Sequence, residues 1–338
     1  MVNNSGSVDL NGRNILVTGG SGSFGKHFAR TVLERFKPRK LIIFSRDEMK
    51  QFEMQYHPAF EGQGCMRFFI GDVRDRDRLE RAFREVDYVI HAAALKQVPT
   101  AEYNPFECIH TNVLGAENVV QAALRTGVKK VLALSTDKAA NPVNLYGASK
   151  LASDKIFVAA NHLSGTDGAR FSVVRYGNVM GSRGSVIPYF RKLLAQGADA
   201  LPITDPRMTR FWITLQQGVD FVLSCLDLMQ GGEIFVPKIP SMRVVDLARA
   251  IAPHLPQKII GIRPGEKLHE VMVPEDDARN TLEMTDRYVI QPPFYWWSGE
   301  IYRSLPSVPE DFRYASDTNP HWLGAKDLTR IIEALEPD

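Results

Sequence analysis

Residues 14 to 25 read Asn14-Ile-Leu-Val-Thr-Gly-Gly-Ser-Gly-Ser-Phe-Gly25, an apolar run that closes in glycines spaced three apart at Gly19, Gly22 and Gly25. An apolar run breaking into glycine predicts a strand that turns tightly into a helix. Glycine permits the turn and lets the backbone approach a pyrophosphate, which the amides at the helix N-terminus then hold. Thr18, Gly19, Ser21, Gly22, Ser23, Phe24 and Gly25 are therefore candidates to line a dinucleotide. Taken alone, the motif also suits a glycine-rich turn of another α/β protein, so the segments that follow must decide.

Three further apolar runs end in small or polar residues. Lys40 to Phe44 leads into Ser45-Arg46-Asp47, with Lys50 close behind, where a second strand of such a fold meets the adenosine ribose. A guanidinium at Arg46 suits the 2′-phosphate of NADP, and a solvated loop arginine is the alternative; NADP is the preferred cofactor. Met66 to Asp72 places Asp72 and Val73 where an adenine could rest. Tyr88 to Ala94 ends in alanines, of which Ala92 and Ala93 leave room for a flat ring or ribose, and Lys96 follows. His91 reads as structural, because no ligand-type residue sits at metal spacing around it; no metal site is expected.

Residues 135 to 150 read Ser-Thr-Asp-Lys-Ala-Ala-Asn-Pro-Val-Asn-Leu-Tyr-Gly-Ala-Ser-Lys. Tyr146 and Lys150 lie four apart and share a helix face, which predicts the Lys150 ammonium beside the phenol. A neighbouring cation favours the phenolate and is expected to bring its pKa from about 10 towards the range of a general base. Such a base, beside a nicotinamide, suits oxidation of a sugar hydroxyl.

Composition fits a globular enzyme. The chain has 338 residues, 44% apolar and 24% charged, and a formal charge of +2, which gives no general reason to expect nucleic-acid or membrane binding. Cys65, Cys108 and Cys225 show no paired spacing, which suits a reducing cytoplasm, and the first residues lack the pattern of a secretion signal. The apolar window Phe211 to Met229 is broken by Gln216, Gln217, Asp220 and Asp227, so it predicts a buried or half-buried helix, not a membrane span. Arg74 to Val86 predicts a helix buried through Leu79, Phe83 and Val86, and Asn112 to Leu124 another. A terminal amphipathic helix is expected through Leu328, Ile331, Ile332 and Leu335. Strand and helix alternate until about Asn178, which predicts a Rossmann-type doubly wound parallel sheet. Residues 1–178 form the expected NADP-binding domain, and 179–338 a smaller, mainly substrate-binding domain with segments returning to the first.

With these motifs in place, the chain resembles the extended short-chain dehydrogenase/reductases that act on nucleotide sugars. Ala92 to Pro105, Ser135 to Pro142, Val174-Arg-Tyr-Gly-Asn178 and Gly261-Ile-Arg-Pro-Gly-Glu-Lys-Leu-His-Glu270 look like the inverting UDP-N-acetylglucosamine 4,6-dehydratases (5-epimerising) of the pseudaminic-acid pathway. Ser23-Phe24 stands where the wider superfamily usually has an aromatic-Ile pair. The resemblance implies UDP-N-acetylglucosamine as substrate, with Asn178, Arg210, Arg263 and Glu266 as contacts and Lys96 lining both cofactor and substrate. It also implies a homo-oligomer, with a hexamer possible.

The resemblance further assigns Tyr146 as base for the C4 hydroxyl, Thr136 as its hydrogen-bonding partner, Asp137 as the acid that protonates the departing C6 hydroxyl, and Lys138 as the C5 base. Retaining relatives resemble Asp-Glu at the last two positions, so lysine marks the inverting branch. To act as a base Lys138 must be neutral, and burial, the nicotinamide charge and Lys150 are expected to lower its pKa towards the working pH. A UDP-sugar 4-epimerase shares Tyr146 and Lys150 but needs no Asp137-Lys138 pair. A catalytically silent NADP-binding regulator needs none of the four.

Overall fold

A computed structural model describes residues 8–165, 167–182, 184–294, 297 and 299–334. The first six strands are β1 (Asn14–Thr18), β2 (Lys40–Ser45), β3 (Met66–Ile70), β4 (Tyr88–His91), β5 (Lys130–Thr136) and β6 (Arg170–Tyr176). They belong to a nine-stranded sheet in the order Thr281–Glu283, Arg287–Ile290, Ile234–Pro237, β6, β5, β4, β1, β2, β3. From Ile234–Pro237 to β3 all pairings are parallel; Arg287–Ile290 runs antiparallel to both neighbours.

Parallel strands covered on both faces read as continuous apolar runs, and β1 is buried at every position. Full burial of side chains such as Ile15, Leu16 and Val17 contributes about 1.5–3 kcal/mol each. Order reverses between β1 and β4, so the crevice beyond their carboxyl ends is where this architecture takes a ligand. Helix α1 (Ser23–Arg35) begins there, with Gly22 as N-cap and no side-chain cap on its first amides.

Some expected elements shift. The window Phe211 to Met229 is not one helix: Thr209–Ile213 is a strand, and Thr214 and Gln217 form a capping box that starts the helix Leu215–Leu228. The Thr-x-x-Gln signal was present in the sequence. The charge-rich helix is shorter, Arg76–Ala82, capped by Asp75, with Phe83 and Val86 buried in the turns beyond. The Asn112 helix starts from a π-turn, His110–Leu114, that leads into Gly115–Thr126. There Asn112 accepts from the Leu95 amide at 2.8 Å and donates to Leu95 O and Ser149 Oγ at 2.9 Å, fixing the loop after β4. The last helix is Ala325–Ala334 with Leu328 buried; Leu335 lies outside the described residues.

Beyond the sheet, Asn178–Val179, Thr209–Ile213 and Ser241–Arg243 form a small sheet over the carboxyl end of the main one. Val271–Val273 pairs antiparallel with Tyr314–Ala315, stitching the tail beneath the cleft. No helix of the described residues is long and apolar enough to cross a membrane.

Candidate active site

The carboxyl ends of β1, β2, β4 and β5 open into a cleft of about 830 Å³ that runs from the glycine loop to Glu270. Every residue singled out from the sequence as a contact lines it except Thr18. Thr18 is fully buried beneath the loop, where its hydroxyl shares a 2.8 Å hydrogen bond with His91 Nδ1 and accepts from the Ala93 amide at 3.3 Å.

The loop is built for an extended ligand that lies against backbone. Gly19 has φ +66°, and a Cβ there would sit 2.9 Å from Ala93 N and Cα, so only glycine brings the β1 turn this close to the end of β4. At the far wall Ser21 Oγ donates to Ser45 Oγ at 2.9 Å, and Gln51 donates to Ser45 at 3.0 Å. Asp47 caps the helix Glu48–Gln55 by accepting from the Lys50 amide, and its carboxylate also holds the Lys50 ammonium. Arg46, half-exposed at the rim, lies 3.6 Å from Asp72, which Arg74 grips at 2.7 Å. Burial pushes the Asp72 carboxyl up, but Arg74 and Arg46 outweigh it and hold the group below its ordinary value.

At the floor, β5 ends in Thr136 and passes into a single 3₁₀ turn, Asp137–Ala139. The helix Leu145–Ala159 packs so tightly on this turn that a Cβ at Gly147 would come within 2.2 Å of Lys138 O. That approach sets Tyr146 over Asp137 and Lys138. The Thr136 hydroxyl donates to Asp137 Oδ1 at 2.9 Å, and Lys138 Nζ donates to the same oxygen at 3.1 Å. Asp137 is fully buried and its other oxygen, Oδ2, has no partner among the described residues. Burial, reinforced by Glu270, pushes its carboxyl up, which suits a group that must carry a proton at neutral pH.

Two expectations about these groups are reversed. Burial does pull the Lys138 amine down, but the carboxylates of Asp137 and Glu270, the latter 3.2 Å away, outweigh it and hold the amine above its ordinary value. For Tyr146, burial pushes the phenol up to about 12; the chief opposing influence is the Lys138 ammonium. Lys150 shares the helix face, but its Nζ donates to Leu134 O at 2.7 Å, and burial lowers its pKa against the pull of Asp154. The cation that favours the phenolate is therefore Lys138. Helical spacing could not show which cation β5 would bring nearer.

At the substrate end Asn178 lines the cleft, and its Oδ1 is buried without a partner among the described residues. Arg210 is committed inward, donating to the carbonyls of Thr209 at 2.7 Å, Lys267 at 3.0 Å and Leu268 at 3.2 Å, with Nε 3.7 Å from Glu270. Arg263 and Glu266 pair with each other on the rim. Asn144 caps the Leu145–Ala159 helix and donates to Gly265 O at 2.7 Å, tying the Arg263-Pro-Gly-Glu266 loop to the floor.

A sheet with this strand order, a glycine loop at its switch point and a Tyr-x-x-x-Lys helix beside it define an α/β fold of the short-chain dehydrogenase/reductase type. Residues 15–292 match the polysaccharide biosynthesis protein family, and the chain belongs to it. An inverting UDP-N-acetylglucosamine 4,6-dehydratase of Campylobacter jejuni strain 81-176 is 58% identical over 97% of this chain and 99% of its own length. A UDP-glucose 4-epimerase of Rickettsia bellii is 44% identical over 82% of each chain. The crystal structure of Pen from Bacillus thuringiensis superposes with a TM-score of 0.88, at 34% identity over 96% of this chain and 98% of that one.

Proposed function

We propose that the protein is a UDP-N-acetylglucosamine 4,6-dehydratase that inverts C5, giving UDP-2-acetamido-2,6-dideoxy-β-L-arabino-hex-4-ulose as the first step of pseudaminic acid biosynthesis. The observation that carries this reading is the pair of buried Asp137 and half-buried Lys138, in contact at 3.1 Å on the turn against which the Tyr146 helix packs. An oxidation at C4 needs only the tyrosine; an acid and an amine at the adjoining carbons serve an elimination. The glycine loop and Arg46 would hold NADP, which would supply an acceptor for hydride from C4 and a donor of hydride to C6.

The chain's own residues move the protons. Tyr146, hydrogen-bonded through Thr136, takes the proton of the C4 hydroxyl. With C4 a ketone, the C5 proton is acidic and the C6 hydroxyl can leave. Lys138 is held as an ammonium, so it becomes a base by passing its proton across the 3.1 Å contact to Asp137. One transfer makes both catalysts: a neutral amine for C5 and a carboxylic acid for the departing hydroxyl. Between ordinary lysine and aspartate in water it would be uphill by about 9 kcal/mol, the gap between pKa values of about 10.4 and 3.9. Burial and Glu270 lift the Asp137 carboxyl and narrow that gap from one side, while Asp137 and Glu270 lift the Lys138 amine and widen it from the other. After loss of water, the flexible Lys138 side chain returns a proton to the opposite face of C5.

The 44% identity to a 4-epimerase supports a second reading, in which Tyr146 acts alone and hydride returns to C4. Mass spectrometry of UDP-N-acetylglucosamine incubated with the protein and catalytic NADP separates the two. Loss of one water is expected; unchanged mass with altered C4 stereochemistry would establish the epimerase instead.

A further inference from the structure

Glu270 was quoted within a motif but given no role by sequence reasoning, yet it lies at the centre of the floor. Its side chain is 2% exposed. Oε1 is 3.2 Å from Lys138 Nζ and 3.7 Å from Arg210 Nε, and Oε2 is 3.9 Å from Lys267 Nζ. Lys138 Nζ therefore bridges two carboxylates, Asp137 Oδ1 on one side and Glu270 Oε1 on the other. Oε2 of Glu270 has no hydrogen-bond partner among the described residues, so its hold on Lys138 runs through Oε1.

The backbone that carries Glu270 is fixed from the tail. The Glu270 amide donates to Ser316 Oγ at 2.9 Å, and the Ser316 amide donates back to Glu270 O at 2.8 Å. Ser316 Oγ also shares a 2.7 Å bond with Thr209 Oγ1, which reaches His269 Nδ1 at 2.8 Å. The strand pairing of Val271–Val273 with Tyr314–Ala315 continues directly from this clasp.

We propose that Glu270, clasped by the tail at Ser316, is the positioning residue that holds the Lys138 amine under the substrate and directs its proton to Asp137. The proposal rests on the dehydratase reading above. Its logic is a division between two carboxylates around one amine. Asp137 is buried, its charge supported chiefly by Lys138 and Thr136 and repelled by Glu270; its carboxyl is pushed up. Burial acts on Glu270 in the same sense, but Lys138, Arg210 and Lys267 surround it and hold its carboxyl below the ordinary value. Groups whose environments push them apart take different roles: Asp137 receives and gives a proton, while Glu270 stays ionised and tethers. The charged and titratable groups facing Lys138 are Asp137 from its own turn, Tyr146 from the helix above, Arg210 from the strand Thr209–Ile213, and Lys267 and Glu270 from the segment before Val271.

The sign of the test follows. Glu270 raises both Lys138 and Asp137, so Glu270→Gln should lower both. Lysine Nζ titrations followed by NMR on 13C,15N-lysine-labelled protein, with Lys138 assigned by its loss in Lys138→Arg, read the first effect without turnover. We expect the Lys138 midpoint to fall by about one unit or more. In turnover, C5 deuterium uptake should fall about tenfold to a hundredfold with KM little changed and its pH profile moved to lower pH. Glu270→Asp, which keeps the charge, should recover part of the rate, and Ser316→Ala should show a smaller change in the same sense. An unchanged Lys138 midpoint and an unchanged C5 pH profile in folded Glu270→Gln would overturn the proposal; if that variant fails to fold, the same null result in Ser316→Ala would do so. Wild-type protein that removes no water refutes the dehydratase reading separately, and the Lys138 titration then still decides whether Glu270 tethers the amine.

Discussion

Lys138 and Lys150 belong to adjoining regions and line the floor of one cleft, Lys150 buried and Lys138 half-buried, and their amines are driven in opposite directions. Around the turn that ends β5, two carboxylates touch Lys138 within 3.2 Å and keep it charged. Along the helix behind, Lys150 has a carbonyl at 2.7 Å and feels only the more distant Asp154, whose own carboxylate is shared with Ser135 and Arg175. Burial is common to both. Counter-ions decide the sign, raising the Lys138 amine and leaving the Lys150 amine lowered.

That contrast breaks first if the two lysines fail at the same step. Lys138→Ala should lose C5 deuterium incorporation by about a thousandfold or more while C4 oxidation survives; Lys150→Ala should impair oxidation itself. Proton NMR of sugar incubated in deuterated water reads the first, and stopped-flow absorbance of reduced nicotinamide the second. Unimpaired C5 exchange in Lys138→Ala would remove that lysine from the chemistry.

Asp137→Asn sharpens the charged side. It removes the recipient of the Lys138 proton, so oxidation should proceed while water loss slows by about a hundredfold, and the reduced cofactor should accumulate. Normal elimination in this variant would mean another group acts as the acid.

The charge-avoiding side is tested by pH. Burial, helped by Lys150, depresses His91 to about 3, so below pH 6.5 the unfolded chain takes up a proton that the folded one refuses. Stability should rise with pH between about 3 and 6.5, and His91 should account for about 2 kcal/mol of the loss on going from neutral pH to pH 5. Chemical denaturation of wild type and His91→Asn at both pH values measures it; parallel losses would show that His91 is not buried as a neutral ring.

The smallest effect lies at the rim, where charge is solvated. Arg46→Ala should weaken NADP about tenfold and NAD less, by calorimetry. Equal losses would return Arg46 to the status of a surface arginine.

What could be read from sequence follows from where each determinant lies along the chain. The glycine loop and Tyr146 act through near neighbours, so spacing brought them into view, the resemblance brought in Asp137 and Lys138, and the doubly wound sheet followed from β1 and its glycines. The charge state of Lys138 did not, because half of its environment is Glu270, supplied by a segment that the tail strand holds in place. The influence of Lys138 on Tyr146 was not legible for a related reason: a shared helix face says nothing about the turn of β5 packed across it at Gly147. One signal for Glu270 was available, a second acid closing the Gly-Glu-Lys-Leu-His-Glu run, but only the folded chain sets it against an amine.

The clasp between Glu270 and Ser316 also orders events during synthesis. A nascent chain that has emerged as far as Ile290 already contains every strand of the nine-stranded sheet and the whole glycine loop. It lacks Tyr314, Ala315 and Ser316, and with them the strand that fixes the last charged group of the floor. On the dehydratase reading, the loop that would hold the nucleotide is thus encoded ahead of the group that completes the floor.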